Sequence, residues 1–363
     1  MRFTRAVKAC VLISMHGAAS AFAVDQTVVE KWLQPFLDPK ADPRSVLPPN
    51  TWIAFNLVTR SSISDSDFVA LQQRVGQKPD HPDRKALEIE QARRSPQGSV
   101  ENKQVWFGSS SLWRACTGAQ SSFLDFGESG NDLWTLSPQR FVWTSPKVKP
   151  LEGHDIATAF TMELEGLDYL VTGGLREAAR LGQTIQSISQ EGSSWKVILK
   201  RADGSLARRL IVEWNDSANR GFISENMHLD QAGKDAGGWR ISGWSLRLPN
   251  LWMASSASSD GRWGGGKYEF QLVKVETVDE AKIKEMAMPP QEGRPDPVRG
   301  ELTFRTFIDG RSGSMEVSKR SAENMVRVDA SSPSDRLRLF GWLIGGSVII
   351  GLIALRAWLR KPG

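Results

Sequence analysis

Short runs of alternating apolar and polar residues dominate the middle of the chain and predict β-strands. One set of runs covers residues 104–143 and a second covers residues 195–278, with turn residues between the runs. One strand of the second set is predicted at 239–247. Asp203-Gly204 in the second set is typical of a hairpin turn. Near the end of this set the apolar residues change phase between Leu272 and Val273, which predicts a β-bulge.

Helical spacing of apolar residues is limited to a few segments. An N-terminal helix is predicted from Val28 to Phe36, interrupted by Pro35 and ended by Asp38-Pro39. A second helix is predicted to end at Gly173-Gly174, with a shorter one after it. The apolar positions of the second helix are Ile156, Phe160, Leu164, Leu167 and Val171.

These elements predict an α+β fold built on one large, curved antiparallel sheet that resembles an unclosed β-barrel, with the helices segregated. Residues 24–103 would supply the N-terminal helix, the first strand and a polar surface excursion at 61–102, which includes a charged helix at 84–94. Residues 104–320 would form the β-rich core, with the other helices near 154–181.

The two ends of the chain have the pattern of targeting segments. Residues 1–23 combine three early cations, an apolar stretch and a run of small residues, which predicts a signal peptide. Residues 339–359 are mostly apolar and predict one C-terminal transmembrane helix, after a polar stem at 321–338 and before a cytoplasmic tail at 360–363. We therefore expect a single-pass membrane protein whose ectodomain lies on the periplasmic or extracellular side.

The predicted anchor contains a motif that permits close packing of two helices. Gly341 and Gly345 form a Gly-x-x-x-Gly motif, through which the helix could mediate a dimer. The alternative is that these glycines reflect only the ordinary frequency of glycine in membrane spans.

The positive charge of the chain belongs to its ends. Residues 1–23 hold three cations and residues 336–363 hold five, and neither segment contains Asp or Glu. Removing these eight cations from the formal net charge of +5 leaves −3 for residues 24–335. A mildly acidic domain is a poor partner for nucleic acid, so we expect no binding to nucleic acid.

The sequence offers no pattern typical of catalysis or metal binding. Its histidines lack the spacing of metal ligands, and its clustered carboxylates are too common in a chain with 41 acidic residues to indicate an active site. Cys116 is the one cysteine outside the predicted signal peptide, and we interpret it as a buried apolar residue. We expect no enzyme activity, no catalytic residue, no metal and no cofactor.

Tryptophan is the unusual component of the composition, with 14 Trp against two Tyr. The run 132–138, followed by Phe141-Val142-Trp143, and the later segment 195–214 resemble the LolA-like and LppX-like superfamily of periplasmic lipoprotein carriers. The resemblance covers residues 104–280. It implies an unclosed β-barrel that wraps a helical lid and holds acyl chains in an apolar cavity.

Two functions follow as hypotheses. The first is a membrane-anchored module that holds an apolar ligand, a lipid or a lipoprotein acyl chain, in a Trp-rich β cavity under a helix at 156–171. Its predicted ligand-binding residues are Trp134, Trp143, Phe160, Leu164, Trp195, Trp214 and Trp244. The second is a non-catalytic scaffold, or a carbohydrate-binding ectodomain with Trp239, Trp244 and Trp252 on one exposed face, that recruits a partner at the cell envelope. If the tryptophans form an ordinary core instead, the interior is dry.

Overall fold

The structure, a computed structural model, describes most of the chain between Val24 and Asp329. The described ranges are 24–39, 46–119, 122–138, 140–144, 165–259, 267–291, 294–300, 306–311, 316–320 and 325–329. The predicted signal peptide, anchor and tail lie outside them, as do Phe160 and Leu164. Within these ranges, no helix is both long enough and apolar enough to cross a membrane.

The fold is α+β and is built on one curved, open sheet, as the sequence predicted. In the described residues this sheet has sixteen strands, in the order β18-β17-β16-β6-β5-β4-β3-β2-β1-β15-β14-β11-β10-β9-β8-β7. The strands are β1 Thr51–Arg60, β2 Ser99–Ser109, β3 Leu112–Ala119, β4 Ser122–Ser129, β5 Asp132–Ser137, β6 Arg140–Thr144, β7 Thr184–Glu191, β8 Ser194–Lys200, β9 Leu206–Asn215, β10 Arg220–Leu229, β11 Asp235–Ser242, β14 Ser256–Ser259, β15 Lys267–Thr277, β16 Thr306–Asp309, β17 Glu316–Arg320 and β18 Met325–Asp329. Neighbouring strands are antiparallel except β6 and β16, which are parallel. A separate hairpin consists of β12 Ser245–Leu248 and β13 Leu251–Met253.

Six helices accompany the strands in the described part of the chain. They are α1 Gln26–Leu37, α2 Asp65–Val75, α3 Arg84–Arg94, α4 Glu165–Thr172, α5 Leu175–Arg180 and α6 Glu280–Ala287. The side chain of Asp25 caps α1 by accepting a hydrogen bond from Val28 N at 3.0 Å, and Ser64 caps α2 in the same way through Asp67 N. The prediction that Pro35 interrupts the first helix is wrong. Pro35 lies in the last turn of α1, which continues to Leu37 although the proline has no N–H to donate to the carbonyl oxygen of Lys31.

Thirteen of the sixteen strands form two halves that meet at one strand pair, and β16 to β18 extend the sheet beyond β6. We call β1 to β6 the first half, and β7 to β11 with β14 and β15 the second half. The halves join where β1 pairs with β15 over its whole length, from Thr51 opposite Thr277 to Arg60 opposite Lys267. The register skips Val273 in this pair, so the predicted bulge is confirmed.

Three local predictions need correction. Residues 239–247 do not form one strand, because β11 ends at Ser242 and β12 of the separate hairpin begins at Ser245. The polar stretch 61–102 is not wholly an excursion, because its last residues begin β2. Its helices α2 and α3 also bury a small apolar cluster of their own, made by Leu71, Val75 and Leu87.

Both faces of the sheet are covered, by different elements. We call the face with Ile53, Trp113, Phe126 and Trp195 the inner face, and these residues belong to one large apolar core. Helices α1, α4 and α5 contribute to this core, and α1 contacts β7 and β10. We call the opposite face the outer face. In the first half, α6 covers the outer face over β2 to β4.

Candidate functional site

The inner face of the second half carries a stack of three aromatic rings. Tyr169 of α4 lies over Trp239 of β11 with ring centroids 4.4 Å apart, and Trp239 lies over Phe270 of β15 at 5.0 Å. Gly166 brings α4 close to the sheet, because a Cβ there would lie 2.3 Å from the Phe270 ring. The stack therefore depends on direct contact between the helix backbone and the strand.

A second aromatic contact marks the junction between α1 and the sheet. Trp32 of α1 meets Trp214 of β9 edge to face, with centroids 6.2 Å apart, and both side chains are partly exposed. Trp214 is paired with Gly221 across β9 and β10. A Cβ on Gly221 would lie 2.9 Å from the Trp32 ring, so the helix packs where the sheet has no side chain. This junction is the partly exposed edge of the inner core.

Two indole groups on the inner face have buried N–H donors without an acceptor. Nε1 of Trp214 and Nε1 of Trp239 are inaccessible to solvent and have no hydrogen-bond partner in the described ranges of the chain. A buried donor without a partner costs about 1–3 kcal/mol, and such donors are uncommon in native proteins. The inner face therefore offers two unsatisfied donors within an apolar surface.

A buried polar cluster lies between α4, α5 and the inner face of β9 and β10. Arg208 forms an ion pair with Glu177 at 2.9 Å, and Tyr169 donates a hydrogen bond to the same carboxylate at 2.9 Å. Asn226 accepts from Arg208 and donates to the carbonyl oxygen of Gly173 at 2.8 Å. Burial alone would raise the pKa of Glu177, but the charge of Arg208 outweighs burial and the pKa is lowered. The cluster fixes the two helices on the sheet.

Asp168 supports the same helices from within α4. Its carboxylate accepts hydrogen bonds from the backbone N–H of Glu177 at 2.9 Å and from the hydroxyl of Thr172. It lies at the start of α5, where a negative charge is favourable. Burial nevertheless dominates and raises the pKa of Asp168.

The outer face of the first half has a charged network of a different kind. Arg114 is fully buried and binds Asp296 through two hydrogen bonds of 2.8 and 2.9 Å, and Asp125 at 2.7 Å. Arg299 binds Asp125 in turn, at 3.0 and 2.5 Å. The network holds the segment after α6 against β3 and β4. Its two arginines and two aspartates balance in charge.

Cys116 lies beside this network and is buried, as predicted from the sequence. Its cross-strand partner is Asp125. Burial is the main cause that raises the pKa of the Cys116 thiol to about 12. A thiol with this pKa is not a nucleophile at neutral pH.

The predicted ligand-binding residues do not all lie on one face. Trp195 and Trp214 belong to the inner face, and Trp244 packs at its edge, donating from Nε1 to the carbonyl oxygen of Ile223 at 2.9 Å. Trp134 and Trp143 lie on the outer face, where Trp134 pairs with Gly127 and Trp143 across the strands. Trp134 donates from Nε1 to the carbonyl oxygen of Ala287 at 3.1 Å.

The arrangement expected of a carbohydrate-binding face is absent. Trp239 is only 3% exposed and is stacked inside the core. It cannot share an exposed plane with Trp244 and Trp252. Sequence analysis also missed Tyr169 and Phe270 as partners of Trp239, because stacking between a helix and two distant strands leaves no local pattern.

Neither a metal site nor the outer cavity stands out as a binding centre. In the described ranges, no group of three or more His, Cys, Asp or Glu is placed to hold a metal ion. A shallow cavity of about 570 Å³ lies on the outer face of the second half, with Ile198 and Leu206 in its lining. Two of its cations are already paired, Lys196 with Glu191 and Arg209 with Asp235.

Comparison with known proteins gives distant structural matches. No family model matches the chain, and no curated protein matches it. Among solved structures, an outer membrane lipoprotein-sorting protein domain from Vibrio parahaemolyticus matches at 11% identity and a TM-score of 0.34, covering 71% of this chain and 97% of that one. A LolA superfamily protein from Nitrosomonas europaea matches at 12% identity and a TM-score of 0.34, covering 71% and 96%.

A third match has a similar extent. It is a DUF1329 family protein from Desulfovibrio piger, at 10% identity and a TM-score of 0.34, covering 69% of this chain and 97% of that one. A protein of the LolA superfamily, which the sequence resembles, is thus among the matches. At these identities and scores the matches bear on neither the ligand nor the way it would be bound.

Proposed function

We propose that the chain is an exported, membrane-anchored and non-catalytic binding module of the cell envelope. It holds an apolar ligand that carries an ester or carboxyl oxygen, a lipid or a lipoprotein acyl chain, against the inner face of the second half. The predicted signal peptide and C-terminal span support the location. The described residues support the ligand class.

The observation that carries this proposal is the pair of unsatisfied indole donors on the inner face. Nε1 of Trp214 and Nε1 of Trp239 lie buried beside the apolar core and find no acceptor among the described residues. A hydrocarbon chain alone would leave both donors unmet, and a sugar would bring more polar groups than this surface can satisfy. A ligand with a long apolar part and one or two acceptor oxygens matches both properties of the surface.

The junction between α1 and β9 offers the ligand a route to this surface. Trp32 and Trp214 are partly exposed there, and α1 rests on Gly221 without an intervening side chain. A small displacement of α1 would therefore uncover the apolar surface beneath it. A ligand that covers this apolar surface again lowers the free energy by about 25 cal/mol for each Å².

Native mass spectrometry of the full chain in mild detergent tests the proposal. We expect a co-purified or added fatty acid or phospholipid to remain bound. Trp239→Phe and Trp214→Phe remove one donor each and keep an aromatic ring. Because a hydrogen bond contributes about 0.5–1.5 kcal/mol, we expect each variant to bind the lipid about three- to tenfold more weakly.

Trp106→Phe is the matched control. Its Nε1 is also buried without a partner, but Trp106 lies on the outer face against α6. We expect unchanged lipid binding in this variant. A clean apo mass with no uptake of added lipid, or equal weakening in all three variants, would contradict the proposal and favour the scaffold hypothesis.

A further inference from the structure

The hairpin β12–β13 presents an apolar and basic surface apart from the main sheet. Leu246 is 54% exposed at the hairpin, and Arg247 beside it is exposed. Trp252 returns in β13 and is partly exposed. Residues 236–259, which include the hairpin, contain no Asp or Glu. The hairpin therefore combines exposed apolar area with positive charge and carries no acidic residue.

Arg220, at the start of β10, lies against the aromatic side chains next to this hairpin. Its guanidinium carbon is 5.5 Å from the centroid of the Phe222 ring and 5.9 Å from that of Trp252. Phe222 in turn contacts Trp252 at 5.0 Å and Trp244 at 5.6 Å between centroids. Arg220, Phe222, Trp244 and Trp252 thus form one cluster next to the hairpin.

The guanidinium of Arg220 has no anionic partner among the residues that the structure describes. Its Nε is buried without a hydrogen-bond acceptor, and the structure gives the side chain no ion pair with any described residue. Glu213 lies opposite Phe222 in β9 but is exposed and does not bind Arg220. Burial lowers the pKa of Arg220, yet an arginine remains charged in a protein.

Several other arginines in the described part of the chain have carboxylate partners. Arg114 and Arg208 are fully buried and each binds carboxylates. Arg209 is less buried and binds both Glu225 and Asp235. The guanidinium of Arg220 is half-buried, packs on aromatic rings and has no carboxylate partner among the described residues. It is therefore free to bind an anion from outside the chain.

We propose that Arg220, Phe222, Trp244, Leu246, Arg247 and Trp252, which we call the hairpin surface, dock this end of the sheet on a phospholipid bilayer. Arg220 binds a lipid phosphate there, and Leu246 enters the apolar layer. The charge and the apolar area together favour this occupant, because tryptophan is enriched at the membrane interface and arginine binds phosphate through paired donors.

This inference goes beyond the proposed ligand site and uses none of its unsatisfied donors. The docked hairpin would place the edge of the inner face next to a bilayer. A lipid ligand could bind without such docking, and docking could occur without a bound ligand. The lipid-binding measurement above and the docking measurement below can therefore fail separately.

A fluorescent probe at position 246 tests the docking. The full chain carries Leu246→Cys, with Cys10→Ala to leave no other accessible thiol, since Cys116 is buried. The chain is reconstituted in nanodiscs of phosphatidylcholine and phosphatidylglycerol that include a spin-labelled quenching lipid. We expect the probe to be quenched in nanodiscs. The same probe introduced by Val69→Cys on α2, which is 47% exposed, should not be quenched.

Substitution of Arg220 gives the decisive comparison. We expect Arg220→Gln to reduce the quenching at least threefold and Arg220→Lys to restore part of it. Arg140→Gln is the matched control, because Arg140 is also half-buried and has a buried Nε without an acceptor, but lies in β6. It should leave the quenching unchanged. Circular dichroism of each variant shows whether the fold is retained.

Three outcomes would overturn the proposal. The first is equal quenching in the folded Arg220→Gln variant and in the parent chain. The second is failure of Arg220→Lys to recover any quenching, which would indicate a purely structural role for Arg220. The third is a full change of probe emission on adding inorganic phosphate to lipid-free micelles, which would identify free phosphate as the ligand.

Discussion

Two faces of the same sheet carry tryptophans, and they differ in how the indole N–H groups of these tryptophans find hydrogen-bond acceptors. On the outer face of the first half, Trp134 donates to the carbonyl oxygen of Ala287 and lies under the guanidinium of Arg114 at 5.1 Å. On the inner face of the second half, Trp214 and Trp239 have no acceptor. The chain thus satisfies the indole N–H of Trp134 but not those of Trp214 and Trp239, and on the outer face Trp106 also lacks an acceptor.

The difference comes from what covers each face. Helix α6 and the segment after it bring carbonyl oxygens and Asp296 to the outer face, so the polar atoms that Trp134 and Arg114 need are present. Helices α1 and α4 meet the inner face mainly with apolar side chains, such as Leu33 and Leu170. Neither tryptophan content nor an unsatisfied indole N–H, which Trp106 also has on the outer face, identifies a binding face by itself.

The largest expected effect comes from removing the buried ion pairs on the outer face of the first half. Arg114→Met leaves Asp296 buried without its ion pair and leaves Asp125 with Arg299 alone. We expect the free energy of unfolding to fall by about 3–5 kcal/mol, because a carboxylate is left buried without its partner. Chemical denaturation measures this change.

Arg209→Met is the control for that substitution. Arg209 also binds two carboxylates, but those of Glu225 and Asp235 are 30% and 36% exposed. We expect a loss of at most about 1 kcal/mol here. Equal losses in the two variants would show that the outer network contributes no more than a surface pair.

A smaller effect compares two glycines that face tryptophan rings. A Cβ on Gly127 would lie 2.2 Å from the ring of Trp134, which is held by its hydrogen bond and by α6. A Cβ on Gly221 would lie 2.6 Å from Cγ1 of Val212 and 2.9 Å from the ring of Trp32, whose helix can move outward. Overpacking costs about 1–3 kcal/mol, and we expect Gly127→Ala at the upper end and Gly221→Ala at the lower end.

Thermal unfolding of both alanine variants measures this difference. Gly221→Ala should also increase the exposure of the inner face, detected as faster uptake of an apolar dye. If Gly221→Ala proves the more destabilising of the two, α1 is fixed more firmly than the outer cover, and the proposed route for a ligand is wrong.

The smallest effect concerns two aspartates whose pKa values are shifted in opposite directions. Burial would raise the pKa of Asp296, but Arg114 outweighs it and the pKa is lowered. Asp296 therefore stabilises the fold above its unfolded pKa of about 3.9, and this contribution is lost as the pH falls through the folded pKa. Asp168 has a raised pKa, so its contribution is present at low pH and is lost as the pH rises through the folded pKa.

Unfolding free energies measured between pH 3 and 7 separate the two. We expect Asp296→Asn to flatten the loss of stability below about pH 4. The difference between Asp168→Asn and the parent chain should shift in favour of the variant as the pH rises above about 4. Parallel pH profiles for the parent and both variants would contradict the assigned directions.

The sequence predicted the general architecture because the period of its apolar residues reports local structure. Helix α3 was predicted at its observed bounds, and the phase change at Val273 located the bulge in β15. The face to which each tryptophan belongs could not be predicted. In β2, Val105, Trp106 and Phe107 are consecutive and all buried, because both faces of the first half are covered and apolar residues no longer alternate.

The candidate site was only partly predictable for the same reason. Trp134, Trp195 and Trp214 were all predicted to bind the ligand, but nothing local separates Trp195 and Trp214 from Trp134 on the other side of the sheet. Contacts such as Arg114 with Asp296 join residues far apart in the chain and leave no periodic pattern. The one local sign was the pair of prolines around Asp296, which restrict its backbone.

The pairing of β1 with β15 has a consequence for how the protein reaches its native state. Strands β2 to β6 and β7 to β11 form successive hairpins, so each set can assemble quickly from nearby segments. By contrast, β1 emerges early in synthesis, and the partner for its second edge is complete only at Thr277. We therefore expect this join to limit the folding rate. Until it forms, β1 exposes unpaired backbone groups that another chain could capture, so the newly made protein is most prone to aggregation at this stage.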